Sequence, residues 1–208
     1  MKIPYAPGFA AFAGLTALVA AGVACADGPG AYRSTERSIS VGTEQGAIDA
    51  YNAGFADIQR AERPDTTQEE ARKAYKDALA KFELAVQRDR SMHEAYTYIG
   101  YANRKLGRYE QALTAYEMAL RINPDYPHAI EYQGEAFLGL NRLHQAKFNY
   151  LRLYAIAPAL ADKLLRAMRH WIEQNSAKPP DGVDAEAFAA WVATRPSLPE
   201  NTKQSGSW

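Results

Sequence analysis

The chain has 208 residues, 24 Lys and Arg against 24 Asp and Glu, and one cysteine. Balanced charge excludes the broad basic surface that nucleic acid or anionic lipid requires, and a single thiol excludes an internal disulfide.

The N-terminus carries Lys2, then an apolar run from Gly8 to Ala24, then Ala24-Cys25-Ala26 before a polar stretch. This is the layout of a secretory signal peptide over residues 1–26, with cleavage expected after Ala26. The run is short for a spanning helix, which takes roughly 20 apolar residues. Cys25 leaves lipid attachment open as an alternative, although lipid-bearing cysteines usually follow a Leu three residues ahead and Gly22 stands there. Contact with a membrane is expected only if Cys25 is lipidated or the signal stays uncleaved. Cleavage after Ala26 leaves no cysteine, which excludes thiol catalysis and thiolate metal sites. The remaining chain, about 180 residues, is long enough to bury a core.

Residues 27–44 are rich in Gly, Ser and charge with no apolar period, and a flexible leader is expected. Helical patterning then runs over 45–175. Tyr96, Ile99, Gly100, Asn103 and Leu106 share one helical face, and Tyr109, Ala112, Leu113, Tyr116, Ala119 and Leu120 share another. Gly107 separates these helices, and Asn123-Pro124 stops the second.

The same pattern returns 34 residues later: Gly100, Ala112, Tyr116 and Pro124 recur as Gly134, Ala146, Tyr150 and Pro158. Upstream, Ala78, Phe82 and Ala85 match the second helix at the same spacing. Gly54 and Ala56 match the first helix once 12 residues are inserted. A capping box, Thr66 with Glu69, is predicted to start that second helix early, and Arg90 stands where Pro would be. Gly100 and Ala112 are expected to face each other at the closest approach of their helices, where only small residues fit.

These columns resemble the tetratricopeptide repeat (TPR): Tyr96, Ile99-Gly100, Ala112, Tyr116, Ala119 and Pro124 in one copy, and Ile130, Gly134, Ala146, Tyr150 and Pro158 in the next. Gln133 and Leu153 depart from the pattern. The resemblance implies an all-α, right-handed solenoid of about three helix-turn-helix units. Their expected bounds are about 45–92, 93–126 and 127–160, followed by a capping helix at 160–175. The cap is read from the stripe Leu160, Leu164, Leu165, Met168, Trp171 and Ile172; Met168 stands where a fourth repeat would need Gly. In the tail, 176–208, a short helix is expected at about 184–194 with Phe188, Trp191 and Val192 on one face.

No catalytic signature is present: there is no HExxH, no GxGxxG and no phosphate-binding loop. His128, Glu131 and Glu135 share a helical face and could offer a metal some ligands. One face supplies too few for a closed site, and they read better as solvated groove residues near Arg104 and Lys105. No metal and no cofactor is expected.

Tyr51, Phe55, Tyr98, Tyr101 and Tyr132 lie off the repeat columns. The resemblance places them, with Arg104, Glu131 and Glu135, along the concave groove where such stacks bind partners. They are either packing residues or a rigid contact surface. The Lys and Asn with which one subclass clamps a peptide carboxylate are replaced by Tyr51 and Phe55, so that ligand type is not expected. The implied function is a non-enzymatic scaffold of exported bacterial type, periplasmic or secreted, binding a protein or peptide in envelope assembly or protein maturation. Self-association through the Phe188–Trp191 helix and a metal-binding or enzymatic role are the alternatives.

Overall fold

The computed structural model describes the backbone of residues 31–196 and side chains from residue 43. The signal segment with Cys25 and residues 197–208 lie outside the described residues. Among the described residues eight helices follow in order: α1 (Ala31–Ala61), α2 (Gln68–Arg88), α3 (His93–Lys105), α4 (Tyr109–Ile122), α5 (Pro127–Gly139), α6 (Leu143–Ile156), α7 (Pro158–Asn175) and α8 (Ala185–Ala193). No strand occurs among the described residues. α1 pairs with α2, α3 with α4 and α5 with α6. The first helices also touch in series, α1 on α3 and α3 on α5, and α7 takes the next place against α5 and α6. The fold is therefore the all-α stack of three helix pairs with a capping helix that the repeat pattern implies.

One sequence expectation fails at the N-terminus. Helix α1 begins at Ala31, inside the stretch expected to be irregular. No proline follows Pro29 there, and once packing of the later turns has nucleated a helix, adding residues to its end costs little.

The first hairpin also differs in register. The capping box is built by Thr67 and Glu70, one residue beyond the expected pair: Thr67 Oγ1 accepts from the Glu70 amide and Glu70 Oε2 accepts from the Thr67 amide. Thr66 instead donates its hydroxyl to the Arg60 carbonyl at 2.8 Å, tying the turn to the end of α1. α2 consequently starts at Gln68, seven residues before the repeat-equivalent start of α4. Most of the insertion is absorbed as two extra helical turns rather than as loop. After α2, Asp89 replaces the missing proline as the stop: its carboxylate accepts from the amide and hydroxyl of Ser91.

The two short hairpins need a left-handed residue at one place, and Gly107 (φ 77°) and Asn141 (φ 59°) supply it at the same point of successive repeats. In the packed interior Ala78, Phe82, Ala112, Tyr116, Ala119, Ala146 and Tyr150 are buried. The partner of Gly100 is Tyr116 rather than Ala112: a methyl on Gly100 would overlap the Tyr116 ring. Gly54 meets Phe82 in the same way. The large ring, not the small alanine, fills the space that glycine leaves.

Candidate functional site

Three columns of the repeat point from the first helices toward one face. They read Tyr51, Thr97, Glu131; then Asn52, Tyr98, Tyr132; then Phe55, Tyr101, Glu135. The face is thus aromatic at the α1 end and acidic at the α5 end.

At the aromatic end the rings pack on one another. Tyr51 stacks on Phe55 with centroids 6.5 Å apart, and the Tyr98 edge meets Phe55 at 5.4 Å and Tyr51 at 5.8 Å. Phe82 stacks under Tyr98 at 5.2 Å. Tyr98 leads to Tyr101, and Tyr101 to Tyr132 at 4.9 Å. A chain of rings therefore crosses all three first helices. Geometry of this kind is worth about 0.5–1.5 kcal/mol per pair beyond burial.

This packing corrects the reading of Tyr51 and Tyr101 as open contact surface: both are buried. The Tyr101 hydroxyl donates to Glu62, and burial together with that carboxylate pushes Tyr101 far above the usual tyrosine range. Truncating Tyr101 would damage the core as well as any contact. Phe55, Tyr98 and Tyr132 are half-buried and keep an open edge. Beside them lies a cleft of 470 Å³ lined by Ile48, Tyr51, Asn52, Met92 and Glu94.

At the acidic end the polar side chains are locked together. Arg104 of α3 pairs with Glu135 of α5 at 2.5 Å, and Lys163 of α7 pairs with Glu131 at 3.1 Å. Arg104 also lies over the Tyr101 and Tyr132 rings, at 5.1 and 5.6 Å, and Lys163 lies 5.0 Å from the Tyr132 centroid. Such cation–ring contacts gain strength away from water.

Glu131 was expected in solvent and is 0 % exposed. Burial, and next the charge of Glu135, push its carboxyl up to about 8. Burial would raise Glu135 too, but Arg104 and the hydrogen bond from Glu131 outweigh it and hold Glu135 below the usual range. At neutral pH the two carboxyls, one helical turn apart, carry close to one proton between them. Glu131 Oε1 has no protein donor, and a proton on Glu131 gives it a partner in the Glu135 carboxylate. His128 is held below the usual histidine range by burial and by Lys163. It lies against Tyr126 and Tyr132. Among the described residues no group of three or more His, Cys, Asp or Glu could hold a metal ion.

Lys163 and Glu62 were not anticipated. Each reaches the site from a segment remote in sequence, and no local pattern announces it. Lys105, by contrast, remains exposed beside the Tyr101 ring at 5.3 Å. Phe188 and Trp191 of α8 pack on this chain's own stack: Phe188 meets Trp171 edge-on and Trp191 meets Tyr150, both at 5.5 Å.

The family model of the tetratricopeptide repeat matches residues 93–126, the span of α3 and α4. Among solved structures, the first TPR of Spaghetti (RPAP3), bound to the HSP90 peptide SRMEEVD, is 18% identical. It aligns over 61% of this chain and 96% of its own with a TM-score of 0.51. The TPR domain of OM64 from Arabidopsis is 17% identical over 62% of this chain and 98% of its own, with a TM-score of 0.52. At such identity the likeness shows the fold. No curated protein sequence matches the chain.

Proposed function

We propose that the protein is a non-enzymatic scaffold that binds a segment of a partner protein along the face formed by α1, α3 and α5. The observation that carries this reading is the continuous run of rings across three first helices, with half-buried edges at Phe55, Tyr98 and Tyr132 and an apolar cleft at its α1 end. Because the rings brace one another, the surface is ordered before a ligand arrives, and little side-chain entropy is lost on binding. The bound peptide in one similar structure supports the mode without naming the partner here.

The contact positions differ from a plain list of groove aromatics. Tyr51 and Tyr101 serve as the bed; Ile48, Asn52, Tyr98, Lys105 and Tyr132 reach the ligand. Glu131 and Glu135 with Arg104 and Lys163 hold α3, α5 and α7 in register, setting the spacing of that surface.

The apolar run before Ala26 supports export, with a periplasmic or secreted mature chain starting at Asp27 and a role in envelope assembly or protein maturation. Lipid anchoring through Cys25 is the other outcome, and N-terminal sequencing separates the two: a free Asp27 terminus supports cleavage, and an acylated Cys25 overturns it. No described helix is long and apolar enough to cross a membrane.

A photo-crosslinking residue at Asn52 or Lys105 of the full chain, expressed in its source cells, tests the binding face. A discrete adduct from both sites, absent from the same residue placed at Glu117 on the opposite side, is the expected result. Adducts from Glu117 alone would move the binding face to the second helices.

A further inference from the structure

A second surface lies on the other side of the stack. Of the seven exposed large hydrophobic side chains among the described residues, four belong to α6: Phe148 (62 % exposed), Leu151 (50 %), Tyr154 (53 %) and Ile156 (45 %). In a helix Phe148 and Leu151 are neighbours across one turn, and Tyr154 continues the strip from Leu151. The buried side of the same helix, Ala146, Asn149, Tyr150 and Leu153, already faces the core, so the exposed strip is surplus to folding. Beside Phe148, a cleft of 370 Å³ opens between α6 and α5, with Phe137 in its lining.

The helix itself carries charge of one sign. Among the eight helices α6 alone contains no Asp or Glu. Lys147 and Arg152 flank Phe148 on the helix, and Arg195 sits over Trp191, which abuts Tyr150. Asp125, 3.7 Å from Arg152, is an acid the structure places against it, and it reaches in from the preceding turn.

We propose that the α6 strip is a docking surface for an acidic amphipathic helix of another protein, with apolar side chains on Phe148 and Leu151 and carboxylates toward Lys147 and Arg152. Three observations select this occupant. A second copy packed α6 against α6 would set cation against cation, since that helix carries no acid of its own. A lipid surface needs no cleft, whereas the 370 Å³ cleft beside Phe148 accepts one large side chain. The strip from Phe148 to Tyr154 is about 9 Å long, the reach of nearly two turns of a partner helix. The surface is independent of the first-helix face, so one scaffold would join two partners.

The full chain is titrated with a fluorescein-labelled synthetic helix of about 15 residues, bearing Leu along one face and Glu elsewhere. Controls are the same composition scrambled and the same sequence with Lys for Glu. Saturable binding at least about tenfold tighter than either control, weakened about tenfold by Phe148→Ser with Leu151→Ser and unchanged by Tyr98→Ala, is the expected result. Both serine substitutions are at exposed positions, and circular dichroism checks that the helices persist. Equal binding of the scrambled or the Lys peptide, or binding untouched by the double substitution, overturns the proposal. Two further results also overturn it: self-association in sedimentation that the double substitution abolishes assigns the strip to a second copy, and binding to vesicles of equal phosphatidylcholine and phosphatidylglycerol without peptide binding assigns it to a bilayer.

Discussion

The second and third repeats share their columns but use them differently. In the second, Tyr116 covers Gly100. In the third, the equivalent Gly134 is covered by Leu164 of the cap, and the equivalent Tyr150 packs at right angles to Trp191 of α8. Ala119 of one repeat becomes a fully buried Leu153 in the other. Ile99 and Ala115 become Gln133 and Asn149, and Asn149 donates to Gln133 Oε1 at 3.0 Å and to the Ile130 carbonyl at 2.9 Å. Thr97, which bonds the His93 carbonyl within its own helix, becomes Glu131, which needs Lys163 from α7. An internal repeat meets another like itself, while a terminal repeat must meet a cap of different shape, and its columns change to suit.

The strongest way to break that comparison is to remove the ring from each repeat. Tyr116→Ala should cost about 3–5 kcal/mol, as expected of a large ring lost from a closed core. Tyr150→Ala should cost less by at least about 1 kcal/mol, because α8 can settle into the space. Urea unfolding reads both, and equal losses would show that the two sites pack alike.

The buried carboxyl of the third repeat should also make it the pH-sensitive one. Glu131 ionises near 4.5 when unfolded and at about 8 when folded. Below pH 4.5 both states hold its proton; between there and 8 only the folded chain does. Its contribution to stability is therefore full below the lower value and lost as pH rises through the upper one, at no more than about 1.4 kcal/mol per pH unit for one proton. The melting temperature should fall from pH 5 to pH 8, and Glu131→Gln should flatten that slope. Glu135, held low, acts in the opposite sense and below this window, losing its contribution as pH falls through its folded value. An unchanged slope in the Gln variant would remove Glu131 from the account.

A smaller effect is expected at the buried amide pair. Asn149→Ala should cost about 1–3 kcal/mol by leaving Gln133 and a carbonyl unpaired. Adding Gln133→Ile, which restores the residues of the second repeat, should recover part of the loss. A double variant no better than the single would show that the pair is not coupled. Smallest is the contrast between glycines. Gly100→Ala presses on a ring and should cost about 1–3 kcal/mol, whereas Gly134→Ala presses on the end of Leu164, which can rotate, and should cost less by thermal unfolding.

Much of the architecture was legible because the repeat is local. Helices at steps of three and four, glycine at the closest approach and the turn at Gly107 are all set within a few residues. The capping box shows the limit of such reading: Thr66-x-x-Glu69 and Thr67-x-x-Glu70 fit the same pattern, and only the Thr66 bond to the Arg60 carbonyl decides between them. The groove shows a deeper limit. Tyr101 could be recognised as an off-column aromatic, but not as buried, because the Glu62 that accepts the hydrogen bond of its hydroxyl and the Tyr132 that covers its ring come from other helix pairs.

By itself the sequence determined that this chain is a stack of helix pairs and which columns of small and large residues line its interior, since those follow from a pattern that recurs every 34 residues. Tertiary structure alone decided which groove residues are bed and which are surface, that Glu131 is sealed under Lys163, and that α6 keeps an apolar strip uncovered. Burial and charge pairing are properties of surfaces brought together from distant segments, and no spacing along the chain encodes how far those surfaces close over one another.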